Sequence, residues 1–130
     1  MDERLQTVLS DQPVPDRHLF HSPAHGAEIQ FRGVVREWEE GRRIEGIRYS
    51  AYGPMAGAKL RAIATEAAAT HSEALIFIHH VVGFVPASEA SVLVAVAMPH
   101  STEAFTLCQE ILRRLKSEVP IWKELCWEKA

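Results

Sequence analysis

The sequence is short of the features that mark several protein classes. It has only two cysteines, Cys108 and Cys126, with no CxxC spacing, which gives no basis for a disulfide framework or a cysteine-built zinc site and predicts packed, reduced thiols. No apolar run approaches the roughly 20 residues of a membrane span. The opening "MDERLQTVLSDQPVPDR" has neither the basic start nor the apolar stretch of a secretory signal, so a soluble cytoplasmic protein is expected. Charge of one sign is also lacking. With 14 Lys+Arg against 17 Asp+Glu the formal net charge is -3, which argues against a nucleic-acid or anionic-membrane partner and requires any anion site to be local. A Gly-rich phosphate loop, a Ser/His/Asp order and an HExxH helix are absent too.

What is present is a chain of 130 residues, 47% hydrophobic, enough to close the core of a single domain. Residues 1–26 are rich in Pro, Ser and Asp and read as a loosely structured lead-in, with one short helical turn around Leu5, Val8 and Leu9. From Ala27 to about Arg36, apolar Ile29, Phe31 and Val35 alternate with Glu28, Gln30 and Arg32, the pattern of a half-buried strand. Ile47, Tyr49 and Ala51 repeat it after the polar "EWEEGR", so residues 27–52 are expected to form a hairpin with a long charged connection. Gly53-Pro54 starts an alanine-dense helix running to about Thr70, with Leu60, Ile63, Ala64 and Ala67 as its apolar stripe. Residues 74–81 and 90–98 are β-branched and almost continuously apolar, as strands covered on both faces are. Ser101 or Thr102 then caps a second helix with Phe105, Cys108, Ile111, Leu112 and Leu115 inward, and Pro120 ends it before an apolar Pro-Ile-Trp turn. The order β-β-α-β-β-α predicts an α+β fold with helices packed on an antiparallel sheet.

Three groups of side chains could carry chemistry. Lys116 closes the second helix and Lys123 follows the Pro-Ile-Trp turn, whose burial is expected to draw that lysine toward a partly desolvated wall. Desolvation or a second cation nearby lowers a lysine's pKa and suits it to proton transfer, whereas the plainer reading makes Lys116 a dipole-complementing cation and Lys123 a surface residue. His100 lies where a strand passes into a helix N-terminus, a place that favours anions, and Arg36 ends the first strand at a loop mouth, where a guanidinium can clamp phosphate. His18, His21 and His25 are closely spaced and His79 and His80 adjacent. Neighbouring strand residues face opposite ways, and the first cluster lacks a cysteine or paired acidic ligand, so no metal site is expected.

The stretches "GAEIQFRGVVR" (26–36), "IRYSAYGPMA" (47–56), "ASEASVLVAV" (87–96), "HSTEAF" (100–105) and "LKSEVPIWK" (115–123) together resemble the large, catalytic subunit family of molybdopterin synthase, in the family's order, and the last is the most specific. The resemblance implies an α/β-hammerhead-type fold and a homodimer of large subunits. It implies a small ubiquitin-like sulfur carrier as partner, whose Gly-Gly C-terminus, charged as a thiocarboxylate, passes two sulfurs to cyclic pyranopterin monophosphate and so makes the molybdopterin dithiolene. No cofactor is implied. By position, Lys116 and Lys123 match the family's active-site lysines, and Arg36, His100 and the adjoining Ser101 fall at substrate-binding positions. The family's two His-Arg dipeptides stand here as His80-Val81 and His100-Ser101. Either Arg32, Arg42 or Arg43 supplies the missing charge, or the chain is an impaired paralogue that keeps carrier binding or dimerisation.

Overall fold

The structure is a computed structural model that describes residues 4–129. Its elements run β1 (Leu5–Ser10), β2 (Ala27–Val34), β3 (Trp38–Glu39), β4 (Arg42–Ala51), α1 (Gly53–Thr70), β5 (Leu75–Val81), β6 (Gly83–Pro86), β7 (Ala90–Met98), α2 (Ser101–Glu118) and β8 (Ile121–Trp127). The α+β class and both helices are as expected. Four further strands appear beside those read from the sequence. Among the described residues no helix is long and apolar enough to cross a membrane.

One sheet has the order β1-β5-β7-β2, with β1 parallel to β5 and the other pairings antiparallel. Ile76, Ile78, Val94, Val96 and Met98 point to one face, where α1 and α2 cover them with Leu60, Ile63, Leu107 and Ile111, all essentially inaccessible. Phe77, Leu93 and Ala95 point to the other, where Val8, Val14, Leu19 and Phe20 pack over them. Both faces of β5 and β7 are therefore covered, which is why these strands are apolar at nearly every position.

The second face is covered by the segment expected to be a loose lead-in. That expectation is corrected: Leu5, Val8 and Leu9 belong to β1, a strand and not a helical turn, because β5 supplies a parallel ladder from Leu5↔Ile76 to Ser10↔Val81. The segment after it is clipped down by side chains. The His79 Nε2–H donates to the Gln12 carbonyl at 3.2 Å, Arg32 donates to the Pro15 carbonyl, and His18 Nε2 lies 3.2 Å from a Glu28 carboxylate oxygen.

The expected hairpin over 27–52 does not form. β2 pairs with β7, and β4 is the centre of a second sheet with β3 and β6 along one side and β8 along the other. Alternation marks each strand but not its partner, and that is the physical reason for the error. The charged connection is a tight turn instead: Glu40 (φ 53°) and Gly41 (φ 75°) join β3 to β4, the two left-handed residues a two-residue hairpin of type I′ requires. Gly46 is needed where β4 runs against β6, since a Cβ there would press into the Val85 carbonyl oxygen and the Phe84 ring.

Candidate active site

α2 carries the first cation. Its buried face is Ala104, Leu107, Cys108, Ile111 and Leu115, so Phe105, expected inside, is 61% exposed and Leu112 half-buried. The cap is also corrected: the N-cap is His100, with no side-chain cap bond, rather than Ser101 or Thr102. Lys116 lies in the last turn, where the helix dipole favours a cation, while Glu103 lies in the first. Arg114 anchors this end, donating to Glu118 and to Glu66 of α1, each at 2.8 Å. Those two carboxylates, Glu118 foremost, hold the Arg114 pKa above its ordinary value.

The second cation comes from β8. Val119 is the C-cap of α2, and the chain re-enters a sheet at once, so "IWKELCW" is an edge strand and the expected Pro-Ile-Trp turn is corrected. Trp122 is 58% exposed. Lys123 sits directly opposite Tyr49 of β4, and Leu125 opposite Ile47, which puts Lys123 on the inner face of the second sheet. Both lysines are exposed in this chain, so the desolvated wall expected around Lys123 is not formed by the chain alone.

Arg36, just beyond β2, supplies the third. Arg36, Lys116 and Lys123 line one cleft of about 360 Å³ between the C-terminal end of α2 and the two sheets. The same cleft is lined by Tyr49, His80, Ser91 and Glu39, which the search for chemistry in the sequence did not assign to the site. Tyr49 and His80 could have been found from parity. Tyr49 shares its strand face with Ile47, and His80 shares the parity of Ile76 and Ile78, which puts it on the helix-covered face at the end of β5. Their rings meet edge to face, with centroids 5.2 Å apart. His80 is buried, and burial pushes its pKa below the ordinary histidine value. Its Nδ1–H donates to the Val81 carbonyl at 2.8 Å, which leaves Nε2 as the unprotonated nitrogen of the neutral ring.

The remaining expected residues lie elsewhere. His100 and Ser101 are exposed at the opposite end of α2 and do not line the cleft. Sixteen residues of helix separate His100 from Lys116, roughly 24 Å at 1.5 Å per residue. Arg32 turns to Pro15 and Asp16, the Arg42 guanidinium lies 4.2 Å from the Trp127 ring centroid, and Arg43 pairs with Glu37 and stacks near Trp38. None of these three arginines lines the cleft. The histidines of the lead-in are clasps: His25 bonds Ser22 Oγ and the Glu73 carbonyl, each at 2.6 Å. Among the described residues no group of three or more His, Cys, Asp or Glu is placed to hold a metal ion. Cys108 is buried and free, its thiol pKa pushed up by burial.

Fold and site together define an α+β protein that brings three cations from separate elements to one open cleft. The chain belongs to the MoaE protein family, whose sequence profile matches residues 9–118. A rice protein (Oryza sativa subsp. indica) named molybdopterin synthase catalytic subunit is 45% identical over 101 residues, covering 78% of this chain and 52% of its own length. This chain thus spans about half of that relative. The crystal structure of molybdopterin synthase from Staphylococcus aureus matches with a TM-score of 0.85 at 32% identity, over 100% of this chain and 96% of that one. A complex of subunits 1 and 2 of the molybdopterin-converting factor from Helicobacter pylori 26695 shares the fold, with a TM-score of 0.69 at 16% identity over 97% of this chain and 90% of that one.

Proposed function

We propose that this chain is the sulfur-transferring large subunit of a molybdopterin synthase. In this reading a small ubiquitin-like carrier places its Gly-Gly thiocarboxylate in the cleft, and two sulfurs pass in succession to cyclic pyranopterin monophosphate to form the dithiolene. The observation that carries the reading is the convergence of Arg36, Lys116 and Lys123 on one cleft. Carrier tail and pterin phosphate are both anionic, so a cationic cleft raises their local concentration and stabilises charge that develops during transfer. In each transfer the thiocarboxylate sulfur forms a bond to a side-chain carbon of the pterin while that carbon's bond to oxygen breaks, the oxygen staying with the phosphate as the cyclic ester opens in one transfer and leaving as water in the other. Water then takes the carrier's acyl carbon, the acyl carbon–sulfur bond breaks, and the carrier leaves as a carboxylate. Lys123 acts as acid and base for these proton movements, Lys116 grips the carrier's terminal carboxylate or the developing charge, and Arg36 holds the phosphate.

His100 and Ser101 enter this scheme only through a homodimer. Roughly 24 Å of helix keeps them from the substrate held by Lys116 of the same chain, so a substrate contact by His100 requires the cleft of a second copy. The deciding experiment mixes the purified chain with a thiocarboxylated carrier and the cyclic pterin and looks for the dithiolene product. Product formation supports the enzyme. Carrier binding with no product supports the impaired-paralogue reading, in which the chain docks the carrier or only dimerises.

A further inference from the structure

Among the residues that line the cleft there is one carboxylate, Glu39. Its Oε1 accepts a hydrogen bond from Arg36 Nη2 at 2.9 Å. The two side chains are unequally placed, Glu39 23% exposed and Arg36 77%. Glu39 is also positioned by its backbone: it is the last residue of β3, set opposite Arg42, directly before the left-handed pair Glu40 and Gly41. Arg42 does not draw the carboxylate away, because its guanidinium lies over the Trp127 ring. Among the described residues neither Lys116 nor Lys123 is ion-paired. The cleft therefore carries two unpaired ammonium groups and one guanidinium that already holds an anion belonging to the chain.

We propose that Glu39 is an internal counter-anion that sets the affinity of the cleft for phosphate. A phosphate reaching Arg36 either displaces Glu39 from Nη2, losing a charge-assisted bond, or shares the guanidinium and meets the carboxylate's like charge. Either way the ligand competes with Glu39, and the competition falls on Arg36 alone of the three cations. The consequence is selectivity: a dianionic phosphate monoester gains enough from the two lysines to displace Glu39, whereas a weakly charged ligand does not. The inference deepens the proposed function, because it rests on Arg36 as the phosphate contact.

The test titrates the purified full chain with inorganic phosphate at low ionic strength, by calorimetry, for wild type, Glu39→Gln, Glu37→Gln, Arg36→Ala and the double variant Arg36→Ala/Glu39→Gln. Glu39→Gln should bind phosphate about two- to five-fold more tightly than wild type, the range an exposed ion pair represents. Glu37→Gln, which removes a carboxylate paired with Arg43 outside the cleft, should match wild type. In the Arg36→Ala background the Glu39→Gln gain should disappear. Equal or weaker binding by Glu39→Gln overturns the proposal, as does a gain that survives intact without Arg36, or no binding by Glu39→Gln at millimolar phosphate. The proposed function fails separately: no dithiolene in the reconstituted assay leaves these affinities as they are, whereas phosphate binding untouched by Arg36→Ala removes Arg36 from the phosphate site.

Discussion

The two ends of α2 were marked by the same kind of sequence signal and turn out to be different places. At the C-terminal end, Lys116 meets Lys123 and Arg36 in a cleft backed by buried His80, while at the N-terminal end His100 and Ser101 stand exposed, outside that cleft. A helix carries a motif residue faithfully along its axis but brings nothing together across it. What gathers the cations at one end is tertiary: β8 folds back on β4 and sets Lys123 opposite Tyr49, and the β2 end delivers Arg36 from the other sheet. His100 and Ser101 gain no place in that cleft from the same folding back.

The largest expected effect breaks the cleft end. Lys116→Ala and Lys123→Ala should each lower dithiolene formation by about 10²-fold or more, the scale of losing one electrostatic or proton-transferring group at a reacting centre. Both side chains are exposed, so unfolding free energies should stay within about 0.5 kcal/mol of wild type. Denaturant titration beside the turnover assay separates the two quantities. Near-wild-type turnover in both variants would sink the mechanism.

A smaller effect tests whether the far end belongs to the site at all. Loss of one charge-assisted contact in His100→Ala should cost about ten-fold in turnover if His100 reaches into the cleft of a second copy. In that case, mixing the Lys116→Ala and His100→Ala proteins and allowing subunits to exchange should raise activity above the sum of the two alone, since each mixed dimer then contains a cleft with neither defect. Additive, unrescued losses would confine each site to its own chain and leave His100 without a substrate contact.

How much of this was legible in the sequence follows the same division. Spacing of three and four residues located both helices, and dense β-branched runs located β5 and β7, because each element's burial is written along its own residues. Partners were not legible. β1 is six residues long and gains its ladder from β5, some seventy residues away, so nothing near Leu5 or Val8 marked a strand. β8 is an edge strand that leaves Trp122 in solvent, and its mixed burial made Pro-Ile-Trp read as a buried turn. The tight β3–β4 hairpin was hidden because Glu40 adopts a left-handed φ that its residue type does not advertise. At the site, residue type and position along the chain pointed to Lys116, Lys123 and Arg36. Parity along the strands sets the faces of Tyr49 and His80, but the pairing of strands is what brings them, with Glu39, to the cleft.

The histidine at the cleft end should show itself in the pH dependence of stability. Burial lowers the His80 pKa, and lowers that of its strand neighbour His79 on the opposite face, so the unfolded chain takes up protons that the folded chain refuses. Stability contributed by the neutral rings is present above the unfolded value of about 6.5 and declines as the pH falls from there toward the lowered folded values. Denaturation midpoints between pH 7.5 and 5 should record the decline. His80→Gln, which cannot take up that proton, should make it shallower without removing the part due to His79. An unchanged slope would mean that His80 is charged in the fold.

The smallest effect concerns the far end again and asks what His100 is for. It occupies the N-cap of α2 without making a side-chain cap bond, whereas serine at an N-cap ordinarily accepts from an N–H of the first turn. His100→Ser should therefore raise unfolding free energy by about 0.5–1 kcal/mol, while Ser101→Ala, one position inside the helix, should change it by less than about 0.5 kcal/mol. Read beside turnover, the first variant is decisive for this end of the helix. A protein that becomes more stable and less active when His100 becomes serine keeps the histidine at a cost to its own helix, and the benefit must then lie in contact with something outside the chain. A variant that is more stable and fully active would make His100 a neutral surface residue, leaving the cleft at the other end to carry the chemistry alone.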